Sequence, residues 1–167
     1  YDLESYTPVT GYVRPTHAVT DGEEVVIDGV RFTFFDAPSD TDDTLLMWLP
    51  DKRVVVNNVA CPSFFNLYTL RGSEFRNPQE VLRGLDLIRE LRPEHLVGVH
   101  GAPLHGADTI RRLVTGYRDA IQFLYDQTVR GINRGLSPDE LVRAVRLPEE
   151  LSRNPLAQLY EIGRASC

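Results

Sequence analysis

Along the chain, apolar positions first alternate with polar ones, then crowd into short runs, and finally recur every three or four residues. Residues 24–35, EVVIDGVRFTFF, place Val25, Val26 and Ile27 before Asp28-Gly29, with Val30, Phe32 and Phe34 alternating after it. An Asp-Gly pair supplies the positive φ angles of a tight type I′ turn, so the segment predicts a β-hairpin. Residues 44–56, TLLMWLPDKRVVV, repeat the theme, with an apolar run from Leu45 to Leu49, a Pro50-Asp51-Lys52 turn and a return through Val54 to Val56. Runs this continuous predict strands covered on both faces.

No period is sustained from Asn57 to Asn77, which predicts a long functional loop. Asn77-Pro78 then provides an N-cap with proline at the first helical position, and Val81, Leu82, Leu85, Ile88 and Leu91 follow at helical spacing until Arg92-Pro93. HLVGVH, 95–100, predicts a short buried strand entering a Gly101-Ala102-Pro103 turn. A long amphipathic helix is expected over roughly 108–134, with Ile110, Leu113, Tyr117, Ile121, Leu124, Tyr125 and Val129 on one side and Gly135 closing it. Ser137-Pro138-Asp139-Glu140 has the form of a capping box opening a further helix, and LPEEL at 147–151 opens another. Strands first, then a strand between helices, then helices alone predict an α/β layered domain running into an all-helical segment near residue 130.

Composition narrows the function classes. The chain has 167 residues, 42% of them apolar, with 24 acidic against 18 basic side chains and a net charge of −6. That profile fits a soluble domain with a real core. The net negative charge argues against nucleic acid as a partner, because the general electrostatic attraction to phosphates is missing. No apolar run approaches the roughly 18 residues of a membrane span, and YDLESYTPVT lacks the basic and apolar regions of a signal peptide. Cys61 and Cys167 cannot form a disulfide framework or a four-thiolate zinc site. The compartment stays open between cytoplasm, periplasm and the outside.

Three groups of residues could carry chemistry. His100 stands at the carboxyl end of a buried strand, where open α/β sheets place ligands; it is a candidate metal ligand or a hydrogen-bonding cap of its loop. His17 and His95 read as structural, whereas His105 could cap the long helix or join His100. Asp36, Asp40, Asp42 and Asp43 offer hard ligands for a divalent metal or bases for water, or else are solvated turn residues. Asn66, Tyr68 and Arg71 lie in the loop NLYTLRG, where the arginine fork suits a sulfate, phosphate or carboxylate. Pairing of Arg71 with Glu74 is the plainer alternative.

Several segments in order resemble one family: IDGVRFTFFDAP, TLLMWLP, FFNLYTLRG, the HG-x-P-x-x-G pattern at 100–106, and YRDAIQFLYDQTVRGINRG followed by SPDELVRAVRLPEEL. Together they resemble the metallo-β-lactamase-fold alkyl sulfatases that carry a helical dimerisation domain. The resemblance implies a partial αββα sandwich over 1–128, the C-terminal part of a hydrolase domain, and the truncated start of the dimerisation helices over 129–167. It further implies two zinc ions activating a bridging water to cleave a sulfate ester, and a homodimer in the complete enzyme. It maps His100 onto the late histidine ligand, and Arg71 with Asn66 and Tyr68 onto the sulfate-holding region. Asp40 and Asn58 fall near the family's acidic ligands, but Asp40 is shorter than the expected glutamate and Asn58 is uncharged, which weakens charge compensation of two metal ions. The motif His-x-His-x-Asp-His occurs nowhere in the chain. The chain is therefore not expected to make a complete zinc site alone, and its ending, LYEIGRASC, fits truncation as well. Two other functions remain in view: a related hydrolase of another ester, and a non-catalytic scaffold or dimer module.

Overall fold

The computed structural model describes residues 11–60 and 75–157. Four strands form an antiparallel meander: β1 (Glu24–Ile27), β2 (Val30–Asp36), β3 (Leu45–Leu49) and β4 (Val54–Asn57). The first turn is made as anticipated, with Asp28 at φ 48° and Gly29 at φ 77°, the two left-handed positions a type I′ turn requires. Between β3 and β4, Pro50–Lys52 form a single 3-10 turn closed by Arg53 in the left-handed region, its N–H donating to the Pro50 carbonyl at 3.2 Å.

Helix α1 (Pro78–Leu91) then returns the chain to β5 (His95–Gly98), which pairs parallel to β4. Asn77 caps α1 through its side chain, accepting from the Gln79 N–H at 3.1 Å, and Arg92 in the left-handed region with Pro93 after it ends the helix. A two-residue strand, β6 (Leu104–His105), completes a six-stranded sheet whose spatial order is the chain order. β5 stops at Gly98, two residues short of the strand expected from HLVGVH. Gly98 faces Asn57, the last residue of β4, and the Val99 N–H donates to the Asn57 carbonyl at 3.2 Å as the chain bends away. His100 is therefore a bend residue.

Helix α2 (Ala107–Asn133) follows, about 40 Å long at 1.5 Å per residue. Arg134, with Gly135 at φ 79°, ends it in a Schellman motif, in which the Leu136 N–H reaches the Gly131 carbonyl at 3.1 Å and the Gly135 N–H reaches Ile132 at 2.9 Å. Two short helices finish the described chain, α3 (Pro138–Ala144) and α4 (Glu149–Ser152). The expected boundary between residues 128 and 129 falls inside α2.

Alternation along the strands assigns the two faces of the sheet. Leu46, Val55 and Leu96 point to one side and pack with Val81, Leu82, Leu85 and Ile88 of α1 and with Ile110, Val114, Tyr117, Ala120 and Ile121 of α2. Truncating a side chain there, such as Leu85, costs about 2–5 kcal/mol. Gly84 lets α1 approach: a Cβ there would lie 3.1 and 3.2 Å from the methyls of Val59. The helices cover only this face. On the other, Phe32, Met47, Val54, Val56 and Val97 are half-buried, and Phe32 stacks on Phe34 with centroids 6.0 Å apart. One sheet and one helical layer amount to the αβ half of an αββα sandwich.

Candidate functional site

β2 and β4 run in the same direction, each antiparallel to β3, and β5 runs parallel to β4. The carboxyl ends of β2, β4 and β5 thus share one edge of the sheet, where α/β folds place their ligands. Asp40 lies in the loop after β2, Asn58 directly after β4, and His100 two residues beyond β5. The topology therefore brings all three candidate metal ligands to the same edge.

Asn57 organises this edge. Its buried side chain accepts from the Val59 N–H at 3.0 Å and the Ala60 N–H at 2.7 Å and donates to the Val97 carbonyl at 3.1 Å. It turns the chain out of β4 and ties that turn to β5. Next to it, the Asn58 amide donates to Asp40 Oδ2 at 3.1 Å, joining the loops after β4 and β2. Asp40 Oδ1 receives Arg76 at 2.6 Å, and the Arg76 side chain is only 6% exposed against 42% for Asp40. Asp40 thus links three segments: its own loop, the exit of β4, and the approach to α1. A cleft of about 410 Å³ opens here, lined by Ser39, Asp40, Asp42, Asp43, Arg76 and Glu80 among others. Asp42 and Asp43 are exposed, and Asp43 accepts from the Thr41 hydroxyl at 2.6 Å, as a turn residue does.

The other candidates separate. His100 is exposed in the bend after β5. His105 meets His95 rather than His100, with their Nδ1 atoms 2.9 Å apart. His17 contacts Glu23 at 3.2 Å. The Thr20 backbone N–H, with His17 and the Thr20 hydroxyl, holds the Glu23 carboxyl below its ordinary range. Asn66, Tyr68 and Arg71, with Glu74 and Cys61, lie outside the described residues, as does Cys167.

Two residues of this edge escaped the sequence reading. Asn57 had a usable signal, since asparagine at the end of an apolar run often hydrogen-bonds backbone two or three residues on. Arg76 had none: its partner lies 36 positions earlier.

Among the described residues, no three His, Cys, Asp or Glu side chains converge as a metal site requires. Both oxygens of Asp40 are engaged, its charge is met by a guanidinium, and Asn58 presents an amide donor toward it. The donors present do not fit a metal centre by themselves. No described helix is long and apolar enough to cross a membrane.

No protein-family model matches the chain. In sequence it is similar to a linear primary-alkylsulfatase of Pseudomonas sp., 36% identical over 143 residues, covering 84% of this chain and 27% of that protein. It is also similar to an alkyl/aryl-sulfatase of Saccharomyces cerevisiae, 33% identical over 149 residues, covering 84% of this chain and 23% of that protein. In structure it is similar to the stereoselective inverting sec-alkylsulfatase Pisa1 from Pseudomonas sp., with TM-score 0.79 and 27% identity over 87% of this chain and 24% of that one. A double mutant of the same sec-alkylsulfatase superposes with TM-score 0.81 at 28% identity, over 89% of this chain and 24% of that one. A metallo-β-lactamase family protein from Thermus thermophilus shares the fold, with TM-score 0.53 at 16% identity over 70% of this chain and 38% of that one. The chain spans about a quarter of the length of the curated relatives it matches. Sequence and fold agree over most of the chain: it is similar to a section, about a quarter, of metallo-β-lactamase-fold alkylsulfatases.

Proposed function

We propose that the chain is a section of an enzyme that hydrolyses alkyl sulfate esters. The observation that carries this reading is its correspondence, in sequence and in backbone, to alkylsulfatases across more than four fifths of its length. In this reading Arg71, with Asn66 and Tyr68, holds the sulfate group. The planar fork of Arg71 suits two sulfate oxygens, and Asn66 and Tyr68 can add neutral hydrogen bonds, so negative charge on the departing sulfate would be met as it develops. In sequence, Asn57 precedes these residues and Arg76 follows them, Asn57 at the exit of β4 and Arg76 paired with Asp40. Zinc belongs to the complete enzyme, where it would supply an activated water. His100, with Asp40 and Asn58, is this chain's contribution toward holding it, and these donors are too few and too engaged to do so alone.

The test is turnover by the product of the full coding sequence. Dodecyl sulfate should be cleaved, and Arg71→Ala should lower kcat/KM by about 10²–10³, the scale of losing one charge-stabilising donor. Unchanged kinetics in that variant would remove Arg71 from the site. A second reading, a related hydrolase of another ester, is favoured by the neutral Asn58 and by the engagement of Asp40 with Arg76. A panel of sulfate, phosphate and carboxylic esters separates the two. If no ester is consumed and Arg71→Ala changes nothing, the chain belongs to a scaffold or dimer module. A homodimer also fits exposed Val129 and Ile132 on α2 and Val142 on α3, whose burial against a second copy would remove apolar surface from water.

A further inference from the structure

β5 and β6 pair antiparallel with His95 opposite His105 and Leu96 opposite Leu104. The His95 N–H donates to the Arg53 carbonyl on the β4 side at 3.1 Å, whereas the Gly106 N–H donates to the Glu94 carbonyl at 2.9 Å. Backbone groups therefore join β5 to β6 at position 94 and turn away at 95. His95 and His105 form a non-hydrogen-bonded pair, the kind in which facing side chains come closest. Leu96 is buried on the helix side and Leu104 packs against the same core, so alternation sends both imidazoles to the opposite face.

On that face the rings meet edge to face, centroids 5.1 Å apart and planes at 73°, with the two Nδ1 atoms 2.9 Å apart. In the neutral pair a single proton lies between these nitrogens. A divalent ion can take its place: two nitrogens bound in cis at about 2.0 Å lie about 2.8 Å apart at a right angle and about 3.3 Å apart at the tetrahedral angle. The observed spacing matches the tetragonal arrangement that Cu²⁺ adopts with nitrogen ligands. Both residues are exposed, so the small ring rotations that aim both lone pairs at one point are cheap. The residue beside His95 on β4 is the apolar Val54. The adjacent acid, Glu94, is turned toward α2, where it accepts from the Ala107 N–H at 3.3 Å and lies 3.6 Å from Arg53.

We propose that His95 and His105 form a cross-strand, two-histidine site for a divalent transition-metal ion, Cu²⁺ fitting best, with water completing the coordination. The site lies at the start of β5, about 10 Å along the strand from Gly98 and the edge that bears His100. It is independent of the sulfatase reading.

The test is titration of the metal-free chain with Cu²⁺, followed by calorimetry and electron paramagnetic resonance. One ion per chain should bind, with a spectrum reporting two equatorial nitrogens. His95→Ala and His105→Ala should each weaken binding about tenfold or more, because either leaves a single imidazole. His17→Ala should bind like the unaltered chain. Affinity in the His95 and His105 variants equal to that of the unaltered chain, or a loss that follows His17 instead, overturns the proposal. Proton resonances of the unaltered chain give a readout free of any folding defect. Substoichiometric Cu²⁺ should broaden the His95 and His105 rings before those of His17 and His100, and the reverse order also overturns it.

Discussion

Asp40 shows how one side chain can tie distant segments together through its partners. Arg76 is almost wholly buried, and a guanidinium in that position needs an anion because its own desolvation is expensive. Asp40→Asn should therefore destabilise the chain by about 2–4 kcal/mol, toward the low end of breaking a buried pair because Asp40 itself is partly exposed. Denaturant unfolding checks this, and an unshifted midpoint would show that Arg76 finds its anion elsewhere. Asn57→Ala should cost a similar about 2–4 kcal/mol, since it leaves the Val59 and Ala60 N–H groups and the Val97 carbonyl short of partners in a buried place. Asn57→Asp keeps both accepting bonds but sets a buried carboxylate oxygen against the Val97 carbonyl, so its midpoint should fall at least as far. The Asp40–Arg76 pairing was not legible from the residues alone, whereas the local bonds of Asn57 left a usable signal. A carboxylate among four aspartates reads equally well as ligand, base or turn, and only the fold reveals a guanidinium 36 positions away against it.

Helices and hairpins were far more legible, because their signals are local. Asp28-Gly29, Asn77-Pro78 and the Ser137–Glu140 box each act within four residues, and each forms as anticipated. β6 was not foreseen: two residues carry no period, and their strand state comes from pairing with β5. The capping box makes a pH prediction. The Ser137 backbone N–H and then its hydroxyl hold the Glu140 carboxyl below its ordinary 4.5, so the folded helix favours the ionised form. That contribution is complete above the ordinary value and disappears as pH falls below it through the lowered folded value. Acid titration by circular dichroism should show α3 fraying in that window, and Glu140→Gln should flatten the step. Glycines mark where elements touch. A Cβ at Gly116 would fall 2.3 Å from Nδ2 of Asn154, which donates to the Leu113 carbonyl at 2.8 Å and fixes Asn154 on α2. Gly116→Ala should release residues 154–157 to faster amide exchange while leaving the sheet protected. Exchange unchanged at Leu156, whose N–H the Asn154 side chain accepts at 2.9 Å, would show that the amide has another way to dock.

At the scale of the whole molecule, the α/β class and the order of its parts could be read from the alternation of periods, whereas the covering of the sheet could not. Apolar runs in β3 and β4 suggested two covered faces, and the described helices supply one. The C-terminal part of α2 and α3 leave Val129, Ile132 and Val142 exposed. Sedimentation should accordingly find self-association, and Ile132→Asp with Val142→Asp should shift the chain toward monomer without lowering its melting temperature. A monomer at every concentration would leave that surface without a second copy.

The strand order carries a consequence for how the chain is made. Because each strand is laid beside the one synthesised just before it, no strand must later be inserted between two neighbours already joined. The sheet can grow in the direction of translation, one edge at a time, with nascent pairings that are mostly short-range. The exception is the joining of β5 to β4, which waits for the whole of α1 to emerge and closes the longest gap between neighbouring strands. Until then β4 is an open edge, so a ribosome pausing between residues 58 and 94 would hold the chain at its most aggregation-exposed stage.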